Sequence, residues 1–426
     1  MNCFQEINLI QTEIEHTLNK CTYCGRCVAR CDILGFLDLK EKKASKIVEK
    51  KHHFLQTGIP DEDIKKIIFS CSMCGKCNSV CPEGLSPYLV MLGLRIKWRE
   101  CTEGFPSVMN KVLPQNKYSY YKLVETLTLK KSYLTDVDFM RAVPLTPSTS
   151  KQILYLGCQL MPRSDILLTL FDVMKLIGYE DKILSGPDLC CGYLNMMAGD
   201  LKTANKMVKD LINAFQRTGA DEIIFWCSDC YRRAREYLEI TNSEEDFKLT
   251  TLVEYLAENV DKWKFKNPIR DIVTYHDSCP LCFYQIYDAP RKIIESIPGL
   301  EFREMKHNRE RAKCCSGNAS RLIPQVAEKL CEQRVVEALK TGAKKLITSC
   351  YGCERRFDSF IGQKYGITYP HLIMLIAQGN DIYHDNTWAK LTRTRNVEYI
   401  IEACAEEIDQ SPFDEEDIRR ELPQYL

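Results

Sequence analysis

Residues 184–192, LSGPDLCCG, carry the adjacent pair Cys190-Cys191, from which the rest of the sequence is best interpreted. Adjacent thiols are of little use for a disulfide in a reducing compartment, but they can bind neighbouring irons of one cluster. A single cysteine, Cys158, precedes the pair, and the motif Cys227-x-x-Cys230 follows it. These five cysteines together predict one iron–sulfur site.

The same pattern occurs a second time, as Cys279, the adjacent pair Cys314-Cys315, and Cys350-x-x-Cys353. The two C-x-x-C motifs are offset by 123 residues, the adjacent pairs by 124 and the single cysteines by 121. The tripeptide at residues 218–220, Thr-Gly-Ala, also returns 123 residues later. The offset is nearly constant, and its small differences arise in loops, which indicates an internal duplication.

Residues after 150 have the pattern of alternating strands and helices. Buried strands are predicted at 153–156, 182–184, 223–226, 272–275, around Phe302 and at 346–348. Helices are expected after an N-cap at Ser164, over 200–218, after Asp288 and through 326–339. Each cysteine segment follows a strand, and ligands of open α/β sheets bind at the carboxyl ends of the strands. Each half should therefore gather its thiolates at one rim.

The N-terminal part contains two ferredoxin motifs. The first is Cys21-x-x-Cys24-x-x-Cys27-x-x-x-Cys31, and the second consists of Cys71, Cys74, Cys77 and Cys81. In this spacing the fourth cysteine usually ligates the other cluster. We therefore predict a first [4Fe-4S] cluster on Cys21, Cys24, Cys27 and Cys81, and a second on Cys71, Cys74, Cys77 and Cys31. A structural zinc site is the alternative, but it would need C-x-x-C pairs rather than triplets.

The composition limits the other options. The chain has 426 residues with 45% apolar and 27% charged side chains, and its 58 basic residues balance 58 acidic ones. This balance gives no indication of a nucleic-acid or membrane-surface partner. The 23 cysteines, without an apolar leader or membrane-spanning run, predict a reducing cytoplasm and metal-bound thiolates. Any association with a membrane would go through a partner subunit.

Several other features of the sequence carry weaker signals. The lysine-rich segment 40–51 is more typical of a solvated helix face than of a docking site for an acidic electron carrier. No glycine-rich nucleotide loop is present, so we expect no flavin or nicotinamide on this chain. We assign no role to four cysteines outside the sets, namely Cys3, Cys101, Cys331 and Cys404.

Taken together, these motifs resemble the CCG-domain iron–sulfur proteins, a group that includes the D subunit of heterodisulfide reductase and the C subunit of anaerobic glycerol-3-phosphate dehydrogenase. The long helical insert between the ferredoxin motifs is similar to the α-helical ferredoxin domain of fumarate-reductase iron subunits. The expected fold is α+β and multidomain: an α-helical two-cluster ferredoxin domain (1–105), a linker (106–150), two halves of a duplicated, Rossmann-like α/β CCG domain (151–268 and 269–380) and a C-terminal tail (381–426). We expect the tail to pack on the surface, although a partner-docking arm is the alternative.

The resemblance implies two cubane [4Fe-4S] clusters and one or two non-cubane [4Fe-4S] clusters in the CCG halves. The ligands of the first would be Cys158, Cys190, Cys191, Cys227 and Cys230, and those of the second Cys279, Cys314, Cys315, Cys350 and Cys353. The chain departs from the family at Ser316, which follows the second pair where glycine is usual, and at Cys282, which also replaces a glycine. Cys282 is either an additional ligand or, as we favour, a packed thiol.

His276, close to Cys279, is the candidate catalytic residue. It could donate a proton to a departing thiolate or a hydrogen bond to a cluster sulfide. Alternatively, it orients its loop through Asp277.

The resemblance implies an iron–sulfur oxidoreductase subunit of an anaerobic electron-transfer complex. Electrons would pass from the ferredoxin clusters to the CCG clusters, which act on a thiol or disulfide substrate. The expected partners are a flavoprotein, a hydrogenase or a membrane cytochrome or quinone subunit. A pure electron-transfer subunit between a flavoprotein and a membrane partner is the alternative, favoured by the altered segment after Cys315. A zinc-binding, structural CCG half is a third hypothesis, which metal analysis would test.

Overall fold

A computed structural model describes residues 3–102, 117–128, 137–138, 151–184, 186–243, 245–317, 320 and 323–426. Mixed helices and parallel sheets follow an N-terminal helical region, so the expected α+β multidomain class is confirmed. The prediction of a linker at 106–150 falls largely outside the described residues. The predicted domain boundaries therefore stay predictions.

The N-terminal region is built from helices. The longer ones are Cys3–Lys20, Ala44–Thr57, Glu62–Ser70 and Pro87–Cys101, and short turns of helix lie at Arg26–Ala29, Leu34–Phe36 and Asn78–Val80. Asp61 begins one helix by accepting a hydrogen bond from the Ile64 N–H at 2.7 Å. Helix Cys3–Lys20 packs against Pro87–Cys101, where a Cβ on Gly93 would lie 2.4 Å from Ile14. These helices surround both ferredoxin loops.

Within the described residues the first sheet contains five parallel strands: β1 (Val137–Asp138), β2 (Gln152–Tyr155), β3 (Lys182–Leu184), β4 (Glu222–Phe225) and β5 (Lys248–Thr251). Their order is β1-β3-β2-β4-β5. The helices of this half are Ser164–Leu176, Tyr193–Met197, Leu201–Thr218, Ser228–Thr241 and Leu252–Glu258. Strands β2, β3 and β4 lie where the sequence predicts strands. It does not predict β1 and β5, because neither Val-Asp nor Lys-Leu-Thr-Thr has a run of apolar residues.

The second sheet repeats the first. It contains β6 (Asp271–His276), β7 (Leu300–Phe302) and β8 (Lys345–Thr348) in the order β7-β6-β8, again all parallel. Its helices are Cys279–Phe283, Asp288–Ser296, Pro324–Leu339, Tyr351–Phe360 and Leu372–Gln378. A parallel bridge from Thr348 to His371 takes the place that β5 has in the first half. His371 then begins a helix as Thr251 does 120 residues earlier, which extends the duplication seen among the cysteines.

The two halves share one hydrophobic core. Buried residues of both sheets, such as Leu154 and Val273, belong to the same apolar cluster. Helix Leu252–Glu258 packs against Asp288–Ser296, and helix Leu372–Gln378 packs against Ser164–Leu176. These two helix pairs join the halves.

The C-terminal tail consists of the helices Thr387–Thr392, Val397–Ala403, Ala405–Asp409, Glu415–Glu421 and the turn Leu422–Tyr425. It packs through Trp388 and Ile400 on helix Tyr120–Thr128, with Leu123 and Val124 in the contact. The prediction that Ser164 is an N-cap is wrong. Arg163 occupies that position, and the Ser164 hydroxyl instead joins the tail by donating to the Asp385 carbonyl at 3.1 Å.

Candidate metal centres

The first ferredoxin set lines a single cavity at the end of helix Cys3–Lys20. Its wall contains Cys21, Cys24, Cys27 and Cys81. Tyr23 and Gly25 have positive φ angles of 54° and 75°, which wrap the loop around the cavity. Cys24 is exposed, so this set lies at the molecular surface.

The second ferredoxin set lines a neighbouring cavity. Its wall contains Cys31, from the first motif, with Cys71, Cys74 and Cys77, and Cys27 and Cys314 also line it. Burial raises the pKa of Cys31 to about 12, with a further rise from Cys71. Such buried thiols without a metal would stay protonated, and a bound metal would keep them as thiolates. The donor chemistry therefore fits a metal cluster.

The cysteines of the first CCG half meet at the carboxyl ends of β2, β3 and β4. The hydrogen bond that Cys190 donates to Cys158, together with burial, raises the pKa of Cys190, and the hydrogen bond that Cys191 donates to Cys190 raises the pKa of Cys191. Cys230 contacts both Cys191 and Cys227. All five predicted cysteines thus form one contiguous group.

The second half has the corresponding group. Cys279 contacts Cys314, Cys315 lies 3.1 Å from Cys353 between their sulfurs, and Cys353 also contacts Cys350. Five adjoining thiols exceed the four ligands that a structural zinc ion takes. The donor sets of both halves therefore fit an iron–sulfur cluster better than zinc.

His276 lies against the second group. Its Nδ1 accepts a hydrogen bond from Arg334 Nε at 3.1 Å, and burial lowers its pKa, so the neutral ring carries its proton on Nε2. A ring nitrogen of His276 and the sulfurs of Cys315 and Cys353 lie within 4.8 Å of one another. His276 therefore lies close to the sulfurs of the second group, and its role as a proton or hydrogen-bond donor stays a prediction.

Asp277 forms a separate contact. It accepts two hydrogen bonds from Arg291, at 2.8 and 3.1 Å, and one from the Arg309 N–H at 2.8 Å. These bonds join Asp277 to Arg291 and Arg309, and the alternative that His276 orients the loop stays a prediction.

Cys282 has a hydrogen bond to the backbone of the neighbouring loop. Its sulfur donates to the Arg309 carbonyl at 3.5 Å, and burial raises its pKa to about 12. This placement agrees with a packed thiol. Two of the unassigned cysteines are packed similarly: Cys331 donates to the Cys315 carbonyl at 3.4 Å, and Cys404 to the Leu127 carbonyl at 3.2 Å.

A cavity lies beside the second cysteine group, and residues of both CCG halves line it. The second half contributes Cys279, Cys315, Cys350 and Cys353 to its wall, together with Arg355 and Arg356. The facing wall contains Asp229 and a group of polar and aromatic residues, namely Tyr120, Tyr121, Gln159 and Tyr193. The cavity can therefore bring a small polar or anionic molecule against the second thiol group.

Sequence reasoning missed several residues at these sites. Lys76 and Ser72 lie between cysteines of the second ferredoxin motif, so their proximity to the site could have been inferred. Lys51 lines both ferredoxin cavities although it belongs to a segment interpreted as a solvated face. Lys51 is four residues from Ile47 and four from Leu55, both of which are buried. Residues with this spacing lie on one face of a helix, so the sequence could have placed Lys51 on the buried face.

Comparison with known proteins agrees with this architecture. Residues 16–85 match the family of 4Fe-4S dicluster domains, and residues 153–233 and 273–358 match the CCG family of cysteine-rich domains. No helix in the described part of the chain has the length and apolar character needed to cross a bilayer.

Three relatives show the range of similarity. The chain is 25% identical over 393 residues to the D subunit of dihydromethanophenazine:CoB–CoM heterodisulfide reductase from Methanosarcina barkeri, covering 85% of this chain and 93% of that protein. It is 29% identical over 298 residues to the B subunit of fumarate reductase (CoM/CoB) from Methanothermobacter marburgensis, covering 68% and 57%. It is 22% identical over 422 residues to the probable glycolate oxidase iron–sulfur subunit of Bacillus subtilis, covering 83% and 92%.

The predicted resemblance is confirmed by these matches. The chain is a CCG-domain iron–sulfur protein, with a 4Fe-4S dicluster domain before two cysteine-rich domains, and it is related to oxidoreductase subunits such as the D subunit of heterodisulfide reductase.

Proposed function

We propose that this chain is the iron–sulfur subunit of a redox complex and that a thiol or disulfide substrate reacts in the cavity between its CCG halves. The observation that carries the proposal is the presence of four cysteines of the second set in the wall of that cavity. Relatives that are subunits of oxidoreductases support the general role. The duplicated parallel sheets also support a Rossmann-like description of each half.

The proposed ligands are the four cysteine sets described above, two of them for cubane and two for non-cubane [4Fe-4S] clusters. When bound, these clusters would supply one-electron storage along the chain and iron with an affinity for sulfur. The exposed Cys24 suggests that a partner, either a flavoprotein, a hydrogenase or a membrane cytochrome or quinone subunit, exchanges electrons at the first ferredoxin set.

The cavity residues suit a small anionic substrate. Arg356 lies beside the cysteine group, because a Cβ on Gly352 would be 2.9 Å from its Nη1 and 3.7 Å from Cys350 Sγ. Its guanidinium could bind a carboxylate or sulfonate of the substrate. Reduction of a disulfide consumes two electrons and two protons and yields two thiols. Electrons would come from the partner and protons from solvent in the cavity.

The test is to purify the chain without oxygen and add dithiodiglycolate, an anionic disulfide, or neutral bis(hydroxyethyl) disulfide. We expect dithiodiglycolate to change the paramagnetic resonance spectrum of the oxidised protein. Cys353→Ser should abolish the change, whereas Cys404→Ser, at a buried thiol outside the four sets, should retain it. An unchanged wild-type spectrum with both disulfides would exclude thiol or disulfide chemistry at this cavity.

A pure electron-transfer subunit is the second candidate. The match to a glycolate oxidase iron–sulfur subunit along most of both chains favours it. In that case no thiol would alter the spectra, while a partner flavoprotein would reduce the chain rapidly. Metal analysis tests both against the zinc hypothesis: four clusters require about sixteen irons per chain, whereas one zinc-filled half requires about twelve irons and one zinc.

A further inference from the structure

A buried lysine lies at the junction between the ferredoxin domain and the second CCG half. Lys76, between Cys74 and Cys77, has a side chain that is only 12% exposed. Its ammonium donates to the Ala312 carbonyl and lies 3.8 Å from Asp32 Oδ2. The thiols whose charges act most strongly on it are Cys279 in the second CCG half and Cys74 in the ferredoxin loop.

The two domains are in direct contact around this lysine. Asp32 accepts a hydrogen bond from the Cys314 N–H at 3.1 Å and pairs with Lys313 at 3.2 Å. Ser72 Oγ lies 3.6 Å from Cys314 Sγ. Cys314 also lines the cavity formed by the second ferredoxin set, which no cysteine of the first CCG half does among the described residues. The second ferredoxin set is therefore the neighbour of the second CCG set.

We propose that Lys76 is a positioning residue for electron transfer. Asp32 holds its ammonium in place, and that positive charge is a counter-charge for both the second ferredoxin set and the second CCG set. This inference rests on the proposed cluster assignment. An added electron makes either cluster more negative, so a fixed cation nearby stabilises the reduced form of both. Lys76 would therefore raise both reduction potentials relative to that of the first ferredoxin set and favour electron transfer from that set toward the second half.

Lys51 provides a matched control within the same domain. It is also a buried lysine, 6% exposed, but it lines the cavities of the first and second ferredoxin sets. Loss of its charge should affect those two sets and leave the second CCG set unchanged. Loss of the Lys76 charge should therefore change the potentials of the second ferredoxin set and the second CCG set, whereas loss of the Lys51 charge should change those of the two ferredoxin sets.

The experiment is an anaerobic redox titration of the full chain, monitored by electron paramagnetic resonance. Serine variants at Cys24, Cys74 and Cys315 assign the signals to their sets. Lys76→Met should lower the potentials of the second ferredoxin set and the second CCG set, each by at least about tenfold in the reduction equilibrium, or about 59 mV for one electron. Lys76→Arg should retain both potentials, because it keeps the charge.

Asp32→Asn provides a test of opposite sign that does not depend on the stability of Lys76→Met. Its amide oxygen can still accept from Cys314 N–H, but the negative charge is lost, so both potentials should rise. Unchanged potentials in Asp32→Asn, or in Lys76→Met at full iron content, would overturn the role of Lys76. Wild-type protein without iron in these sets would instead refute the proposed cluster assignment.

Discussion

At the scale of single residues, burial determines the protonation of His371. Its ring stacks on Trp226 with centroids 4.5 Å apart, and its Nδ1 accepts from the Ile373 N–H at 3.4 Å. Burial lowers the pKa of this histidine to about 3. The folded chain therefore keeps His371 neutral, whereas the unfolded chain protonates it below about pH 6.5.

This difference predicts a loss of stability in acid. Since the folded pKa is depressed, the unfolded state binds the additional proton between about pH 6.5 and 3, and stability falls as the pH decreases through that window. Between pH 7.5 and 5.5 the loss due to His371 should be about 1.4 kcal/mol. His371→Asn keeps a capping oxygen but cannot bind this proton. Between pH 7.5 and 5.5, its free energy of unfolding in urea should therefore fall by about 1.4 kcal/mol less than that of the wild type. Equal losses in both proteins would contradict the assignment.

At the scale of elements, the loop after Cys315 is shaped by a close approach to the ferredoxin loop. Gly317 has φ +50°, and a Cβ there would lie 1.7 Å from Ser72 Oγ and 2.4 Å from Ser72 Cβ. Ser316 also has a positive φ, of 88°. The departure from the family pattern at Ser316 therefore belongs to a loop that packs against another domain.

Gly317→Ala should disrupt this contact. We expect it to destabilise the chain by roughly 1–3 kcal/mol through overpacking, in addition to the strain of a positive φ. Gly178→Ala is the control, since φ is +75° there and no atom of the described residues lies within 4 Å of the added Cβ. Unfolding measurements should show the larger loss for Gly317→Ala, and Ser72→Gly should partly reverse it. A loss no greater than that of Gly178→Ala would show that the clash is relieved elsewhere.

At the scale of the whole molecule, buried arginines join the ferredoxin domain to the first CCG half. Arg233 is fully buried and forms a two-hydrogen-bond pair with Glu6 on helix Cys3–Lys20, at 3.1 and 3.0 Å. Arg232 donates to the Met73 carbonyl at 2.6 Å and pairs with Glu236. These contacts hold the ferredoxin domain to the first CCG half without using the cysteines of that half.

Glu6→Gln should weaken this docking strongly. It leaves Arg233 charged and buried without its carboxylate, a change that costs about 3–5 kcal/mol in comparable buried pairs. Glu398→Gln removes a similar two-bond pair with Arg419, but both side chains are exposed and solvent screens the loss. Limited proteolysis and urea unfolding should separate the two variants. Comparable effects would show that the Glu6 pair carries no special role in docking.

Most of the local elements and the grouping of the cysteines can be predicted from the sequence. The ferredoxin spacing, with its exchanged fourth cysteines, and the duplicated CCG pattern can be inferred because ligand spacing and strand periodicity are local properties. Strands β2, β3, β4, β6 and β8 could be predicted from buried apolar runs. Strand β5 could not, since Lys-Leu-Thr-Thr is a strand only because it pairs with β4.

The tertiary structure alone decided which sets are neighbours and what surrounds them. Arg334 at His276, Lys76 between two thiol groups and the contact of Ser72 with Cys314 all join residues far apart in the chain. Such contacts depend on how whole domains pack, and packing energy is shared among many side chains without a local signature. The cysteines could therefore be grouped from their order, whereas the charges and hydrogen bonds around them are products of the folded molecule.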